Sequence, residues 1–207
     1  TTTQAAGLKA TQIAALTTEQ IAKMETADFA KLSTAAIVAL TTEQVPELTT
    51  TQIAALTTAQ LVAMETADVQ ELTTDQIVAL TTAQAAALKA TQVAALTTEQ
   101  VTKIEAADFA KLSTAAIAAL TTDHVQQLTT DQIVALTTAQ VVALEVADFA
   151  ALSSTQIAKM EAVDIAKLTT AQIVALTTDQ VPNLTTAQIA ALTTAQLAAM
   201  ETADVQE

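Results

Sequence analysis

The chain of 207 residues contains no cysteine, tryptophan or tyrosine, one glycine, two prolines and three phenylalanines. The absence of cysteine excludes disulfides, thiol catalysis and cysteine-based metal sites. The scarcity of aromatic side chains is unfavourable for a ligand pocket or an interface hot spot. Arginine is also absent, and the net charge of −14 repels a phosphate backbone. We therefore expect no nucleic acid partner and no cofactor.

Long apolar runs are absent as well, although hydrophobic residues make up 51% of the chain. Thr and Gln interrupt every stretch before it reaches the roughly 18 apolar residues that a membrane span requires, so we expect no membrane insertion. No targeting signal is visible, and the first residues already belong to the repeat described next. These features suggest a segment of a larger protein.

The dominant feature is a strict period of eight residues: every eighth residue from Leu8 to Met200 is Leu, Met or Ile. The repeated phrase is plainest at 185–192, TTAQIAAL. We number this octad 1 to 8, with the Leu at position 8. Such a period indicates one small unit stacked on copies of itself. It predicts a single tandem array over 1–207, about 26 octads without an internal linker.

Most octads carry the signature of a helix start. Thr at position 1 and Gln at position 4 form a capping box, and the preceding Leu with Ile at position 5 forms a hydrophobic staple. Leu16, Thr17, Gln20 and Ile21 show the complete pattern. The charges agree, because 19 of 22 acidic residues lie at positions 1, 3 or 4, and six of eight Lys lie at position 7. The helix dipole favours this sorting.

Two other structures fit the period poorly. In one continuous helix the apolar stripe would advance by about 80° per octad, so no single face could be buried. A strand needs alternation, which positions 5 and 8 break, although a β-solenoid stays open because Thr and Ile favour strands. The sequence predicts an all-α solenoid, or superhelix, of very short capped helices. We expect positions 5 and 8 inside, and Thr, Gln and the acids at the surface.

Pro46 and Pro182 conflict with this scheme, because each occupies position 6, where a helix would use the backbone N–H. Either these octads lose a bond and bend, or their cap lies one residue later.

Six octads replace Thr-x-x-Gln by Glu-x-x-Asp, and we call them the acidic octads. Their starts are separated by 40, 40, 40, 16 and 40 residues, and their pairs are Glu25/Asp28, Glu65/Asp68, Glu105/Asp108, Glu145/Asp148, Glu161/Asp164 and Glu201/Asp204. Block duplication explains the spacing, since 9–40 matches 89–120 at 26 of 32 positions. Alternatively, five octads complete one superhelical turn, and the acidic octads stack into ridges.

No residue type points to catalysis, and we expect no enzyme. Stacked carboxylates are ligands for hard cations, so the metal candidates are the first four acidic pairs, Glu25, Asp28, Glu65, Asp68, Glu105, Asp108, Glu145 and Asp148. The favoured interpretation is that Asp at position 4 is simply a favourable acid near a helix start, and that no metal binds. His124, the only histidine, is interpreted as a solvated variant of Gln, and the Ser residues at 33, 113, 153 and 154 as cap variants. The Thr rows allow an ice-binding face as an alternative.

The phrase LTTxQIxAL resembles octapeptide-repeat stretches of large, repetitive bacterial exoproteins described as adhesin-like. That resemblance covers essentially the whole chain and implies an extracellular or cell-surface location, with no catalytic residue. It favours a structural or interaction module, acting as a spacer or adhesive segment of a larger protein and contacting protein partners or other copies of itself. The alternative is a binding module that grips a peptide or cations along the acidic ridges.

Overall fold

The computed structural model describes residues 1–200, and within them the chain is helical throughout, with no strand. Each α-helix has four to six residues. The first half of the array contains α1 Thr2–Ala6, α2 Ala10–Ala14, α3 Thr18–Ala22, α4 Thr26–Phe29, α5 Thr34–Val38, α6 Thr50–Ala55, α7 Thr58–Ala63, α8 Thr66–Gln70, α9 Thr74–Val78, α10 Thr82–Ala87, α11 Ala90–Ala95 and α12 Thr98–Lys103. The second half contains α13 Ala106–Phe109, α14 Thr114–Ala118, α15 Thr122–Gln127, α16 Thr130–Ala135, α17 Thr138–Ala143, α18 Val146–Ala150, α19 Ser154–Lys159, α20 Ala162–Ile165, α21 Thr170–Val174, α22 Thr186–Ala191 and α23 Thr194–Ala199. The predicted all-α solenoid of short capped helices is confirmed for this part of the chain.

The helices begin where the capping boxes predict. In the octad of α3, the Thr17 hydroxyl accepts from the Gln20 backbone N–H at 3.2 Å, and the Gln20 Oε1 accepts from the Thr17 N–H at 2.8 Å. The same pair of hydrogen bonds, between Thr97 and Gln100, caps the start of α12. Two backbone donors that a helix start would leave without partners are satisfied in each such octad. Helices of five or six residues therefore persist where an isolated helix of that length would not.

The two octads with proline form 3₁₀ turns, Val45–Glu47 and Val181–Asn183, instead of α-helices. The cap does not move, because Thr41 still exchanges bonds with Gln44 at 3.0 and 3.3 Å. Pro46 has no N–H to continue an α-helix, so this turn closes with a Glu47 to Gln44 backbone bond of 3.2 Å. Of the two outcomes considered for these octads, the loss of a helical bond is the one observed.

The superhelical turn is shorter than five octads. The main helix–helix contacts join helices three octads apart, such as α11 with α14 and α14 with α17. Side-chain hydrogen bonds from position 4 reach the octad four places earlier, 28 to 31 residues back in sequence. One turn therefore contains between three and four octads. The idea that five octads make one turn is wrong, and block duplication is left as the explanation of the 40-residue period.

The core is one continuous column. Side chains at position 5 are fully buried through most of the array, including the three Phe, and those at position 8 pack around them. In the first turn the position 8 side chains Leu8, Leu16 and Met24 are only partly buried, and so are Leu192 and Met200 at the other end. The prediction for positions 5 and 8 is confirmed, but the prediction for position 4 is wrong, as described next.

Candidate functional site

The Gln side chains at position 4 lie inside the array and join successive turns. The Gln84 Oε1 accepts from the Thr81 N–H at 2.7 Å, while its Nε2 donates to the Ile53 and Leu56 carbonyls, each at 2.8 Å. One side chain thus caps its own helix and also satisfies two carbonyls at the end of a helix one turn away. The same turn-to-turn arrangement is made by Gln44, Gln52, Gln60, Gln76, Gln84, Gln92, Gln100, Gln132, Gln140, Gln156, Gln172, Gln180, Gln188 and Gln196, which we call the Gln ladder.

Every member of the Gln ladder is buried, between 0% and 4% exposed. The expectation that Gln lies at the surface is wrong, because a capping box accounts for the oxygen of Gln but not for its amide donor. A signal for this role was present in the sequence. A capping box accepts Glu as readily as Gln at its fourth residue, yet no octad places Glu there. A side chain that both accepts and donates satisfies a buried position facing two carbonyls, and Gln does both.

The acidic octads interrupt the Gln ladder. Asp68, Asp108, Asp148 and Asp164 are buried, and an ionised carboxylate has no proton to donate to the carbonyls of the preceding turn. Two of them accept hydrogen bonds from Thr at position 2, three octads earlier: Thr122 to Asp148 at 2.8 Å and Thr138 to Asp164 at 2.6 Å. The expectation that these acids lie at the surface is wrong as well.

Asp68 illustrates the cost of placing a carboxylate here. Desolvation by burial, together with the smaller effect of the neighbouring charge of Glu65, raises the pKa of its carboxyl group to about 6 from an ordinary 3.8. A hydrogen bond from the Glu65 backbone lowers the pKa, but its effect is smaller. Burial favours the neutral carboxylic acid because a charged group loses its hydration. Around neutral pH this octad therefore holds an ionised group in an unfavourable place.

The candidate metal residues are not brought together. The pairs Glu25/Asp28, Glu65/Asp68, Glu105/Asp108 and Glu145/Asp148 are five octads apart, whereas the octads in contact are three or four apart. Within residues 1–200, no three His, Cys, Asp or Glu side chains are grouped closely enough to hold a metal ion. Asp28 instead lies 3.6 Å from the ammonium group of Thr1. Glu201 and Asp204 lie outside the described residues.

His124 is buried, at 4% exposure, so its interpretation as a solvated variant is wrong. Its Nδ1 accepts from the Thr121 N–H at 3.2 Å, and its Nε2 lies 2.8 Å from the Leu96 carbonyl. These two bonds copy the acceptor and one donor of a ladder Gln, and they require the neutral tautomer with its proton on Nε2. The ring provides only one donor, so it reaches one carbonyl where Gln reaches two.

Three of the Ser residues act as caps, as predicted. The hydroxyls of Ser33, Ser113 and Ser153 accept from the backbone N–H three residues later, at 3.1 to 3.2 Å. Ser154 is the first residue of α19. In the octads of α5 and α14, position 4 is Ala36 or Ala116, so the cap forms without a ladder residue.

Taken together, these features define the class: an α-solenoid of tandem octads, held by a continuous core and by buried amide bridges between its turns. A family model described as the ALTTAQ repeat matches residues 21–58, 59–98, 101–138, 141–178 and 157–194. These matches cover most of the chain, which therefore belongs to the ALTTAQ repeat family. A search of curated proteins gave no match. Over residues 1–200, no helix is long and apolar enough to span a membrane.

Proposed function

We propose that this array is a structural spacer, a superhelical rod that holds parts of a larger protein at a distance set by the number of octads. The main supporting observation is that the same core and the same Gln bridges recur along the rod. The main contacts of each octad are with octads three or four places away, so stability and length scale with copy number. The proposal assigns no catalytic step and no cofactor to the chain.

The spacer proposal is tested by changing the number of octads. Deleting residues 97–136 removes five whole octads, 40 of 207 residues, and keeps every remaining octad in register. We expect unchanged helicity per residue and a maximum dimension that falls by about one fifth in small-angle X-ray scattering. The matched control deletes 97–132, which ends inside an octad and breaks the register, so it should lose helicity. An unchanged maximum dimension after the five-octad deletion would rule out a rod whose length follows its repeat number.

The location and the adhesive role are further parts of this proposal, supported by the resemblance to repetitive bacterial exoproteins. The net charge of −14 favours the solubility of such an array. An antibody raised against the array should label intact cells that produce the parent protein. Labelling only after the cells are permeabilised would remove the extracellular location.

Two other functions receive less support. Gripping a ligand along acidic ridges needs the acidic pairs to stack, and their five-octad spacing does not match the turn. An ice-binding Thr face needs free hydroxyls, yet the position 1 hydroxyls are used as caps and those of Thr122 and Thr138 bind Asp. A measurement of thermal hysteresis would test the Thr face directly, and its absence would remove that alternative.

A further inference from the structure

The Gln ladder has one long gap. Asp108, Ala116 and His124 occupy position 4 of three consecutive octads, which together span residues 105–128. Between residues 44 and 200, every other exception to Gln at position 4 is a single octad with Gln in the octads on both sides. One turn contains between three and four octads, so almost a whole turn lacks ladder residues. We call residues 105–128 the gap turn.

Two of these three side chains give no hydrogen bond to the preceding turn. By the register of the Gln ladder, Asp108 faces the end of octad 73–80, and Ala116 faces the end of octad 81–88. An ionised carboxylate and a methyl group have no proton to donate to the carbonyls there. Two consecutive bridges are therefore missing on the same side of the gap turn.

His124 supplies the one bridge that remains. Its Nε2 lies 2.8 Å from the Leu96 carbonyl, and over residues 1–200 this is the only hydrogen bond from position 4 of the gap turn to the preceding turn. On the opposite side, Gln140 and Gln156 of the following turn each donate to two carbonyls of the gap turn. The gap turn is therefore joined more firmly to the turn after it than to the turn before it.

The octads with Asp148 and Asp164 are the closest comparison, because they also lack ladder residues. Gln156 lies between them and donates to two carbonyls of the preceding turn. Thr122 and Thr138 of the preceding turn also donate to the two Asp carboxylates, at 2.8 and 2.6 Å. Within residues 1–200, no Thr donates in this way to a side chain of the gap turn. Among the inner turns, the gap turn thus keeps the fewest polar connections to the turn before it.

A groove opens on the surface next to the remaining bridge. Its volume is about 520 Å³, and its lining residues are Thr98, Glu99, Thr102, Asp123, Gln126 and Gln127. The first three belong to octad 97–104 and the others to the octad of His124, so the groove lies between two successive turns. Glu99 and Asp123 are both exposed, and their like charges disfavour a closer contact. The groove therefore gives solvent access to the boundary at which the bridges are missing.

Apolar packing closes this boundary in the folded chain. Phe109, Ile117 and Val125 of the gap turn are fully buried in the continuous core. The facing octad 81–88 contributes Ala85 at position 5, where most octads have a larger side chain, and a methyl group buries less apolar surface. The boundary is therefore held mainly by core packing, with a single bridge from position 4.

We infer that the array has a preset opening point at the boundary between residues 73–96 and the gap turn. This boundary separates before any other inner boundary, and its opening divides the array into two segments that each remain folded. The physical reason is that local opening costs less where fewer buried hydrogen bonds are broken. The inference concerns relative stability along the array and does not depend on the spacer function.

Hydrogen exchange of the full 207-residue chain tests the position of the opening point. In native buffer, with mass spectrometry of peptides, we expect backbone amides in 77–128 to exchange at least about tenfold faster than those in 49–72 and 137–176, because two neighbouring bridges are missing. The comparison omits the ends of the array, since terminal repeats of a solenoid have a neighbour on one side only. Uniform protection from 49 to 176, or the fastest exchange outside 77–128, would overturn the inference.

Limited proteolysis provides a second measurement on the same chain. A protease that cuts beside large apolar residues should make its first inner cut within 77–128, because those side chains become accessible when the boundary opens. The two fragments should keep their helicity. A first inner cut elsewhere between 49 and 176, or loss of helicity in both fragments, would contradict an opening point between two folded segments.

Added donors should close the opening point. Asp108→Gln with His124→Gln adds amide donors at the boundary, and we expect exchange in 77–128 to slow by about tenfold. The matched control is Asp68→Gln with Asp164→Gln, which makes the same kind of change at other boundaries. Because those sites are distant, the control should alter exchange in 77–128 by less than about twofold.

Circular dichroism verifies that both double variants keep their helicity. Slowing of equal size in the two variants would show a change in the whole array and contradict a local opening point. Unchanged exchange in the folded Asp108→Gln/His124→Gln variant would contradict it as well. If that variant loses helicity, His124→Gln alone gives the same test with a single added donor.

Discussion

Two octads from the same part of the array differ in whether the side chain at position 4 can form a bridge to the preceding turn. The octad 81–88 has Gln84, which caps its own helix and donates to two carbonyls of the turn before. The octad 65–72 has Asp68 at the equivalent position, equally buried but with no proton to donate when ionised. Its N-cap Glu65 makes no side-chain cap bond either. Both octads fold alike, so the fold tolerates the loss of a bridge, but the two do not contribute equally to stability.

The largest difference should appear when a bridge is removed. Gln84→Ala leaves the carbonyls of Ile53 and Leu56 without donors, and we expect the free energy of unfolding to fall by about 2–4 kcal/mol. The matched control is Gln20→Ala, which loses the same cap but bridges no preceding turn and should cost about 1 kcal/mol or less. Urea unfolding followed by far-UV circular dichroism measures both. Equal costs would show that the bridges contribute nothing beyond the cap.

The converse change, from Asp to Gln, should stabilise an acidic octad. By the register of the Gln ladder, a Gln at 68 faces the carbonyls of Ile37 and Leu40, so Asp68→Gln removes a buried charge and adds a donor. We expect the free energy of unfolding at pH 7.5 to rise by about 1–3 kcal/mol. Asp75→Asn, at an exposed position in the next octad, is the control and should have almost no effect.

The stability difference between Asp68 and Asp68→Gln should depend on pH. Because the pKa of Asp68 is raised to about 6 from 3.8, the folded chain holds a proton that the unfolded chain releases between these values. The ionised carboxylate of Asp68 therefore destabilises the folded chain most above about pH 6. This unfavourable effect disappears as the pH falls towards 3.8. The advantage of Asp68→Gln in urea unfolding should shrink over that range. An advantage that stays constant from pH 7.5 to 4 would contradict the burial argument.

A smaller contrast concerns the caps of two consecutive octads. The Thr97 hydroxyl accepts from the Gln100 N–H at 3.2 Å, whereas Glu105 makes no side-chain cap bond. Thr97→Ala should cost about 1 kcal/mol and Glu105→Ala should be close to neutral. Thermal unfolding followed by circular dichroism ranks them, and an equal loss in both would remove the distinction between the caps.

A comparably small effect is expected at His124, which makes one of the two bridges available to Gln. His124→Gln should restore a bond to the Val93 carbonyl and raise the free energy of unfolding by about 0.5–1.5 kcal/mol. The control is His124→Ala, which loses both the cap and the bridge and should fall below the parent chain. If His124→Gln were the less stable of the two, the imidazole would have a role that the Gln ladder does not describe.

The sequence by itself determined the local structure. A Thr, Gln and Ile at fixed spacing specify where each helix starts, and the Leu or Met at position 8 marks where it ends, because caps and staples act within five residues. The burial of positions 5 and 8 follows from the same pattern, as does the failure of a continuous helix. Pro46 indicated a local conflict for the same reason, because its missing N–H is a property of one residue, but the sequence left open whether the helix or its cap would change.

Only the tertiary structure decided how the octads are arranged around the axis. The number of octads per turn depends on angles between short helices, and these angles result from packing between residues about 28 apart rather than from any one octad. For that reason the five-octad period suggested a turn that does not exist. The burial of Gln84, Asp68 and His124 was not predicted for the same reason. The carbonyls that face position 4 belong to another turn, and the sequence of a single octad does not identify those carbonyls.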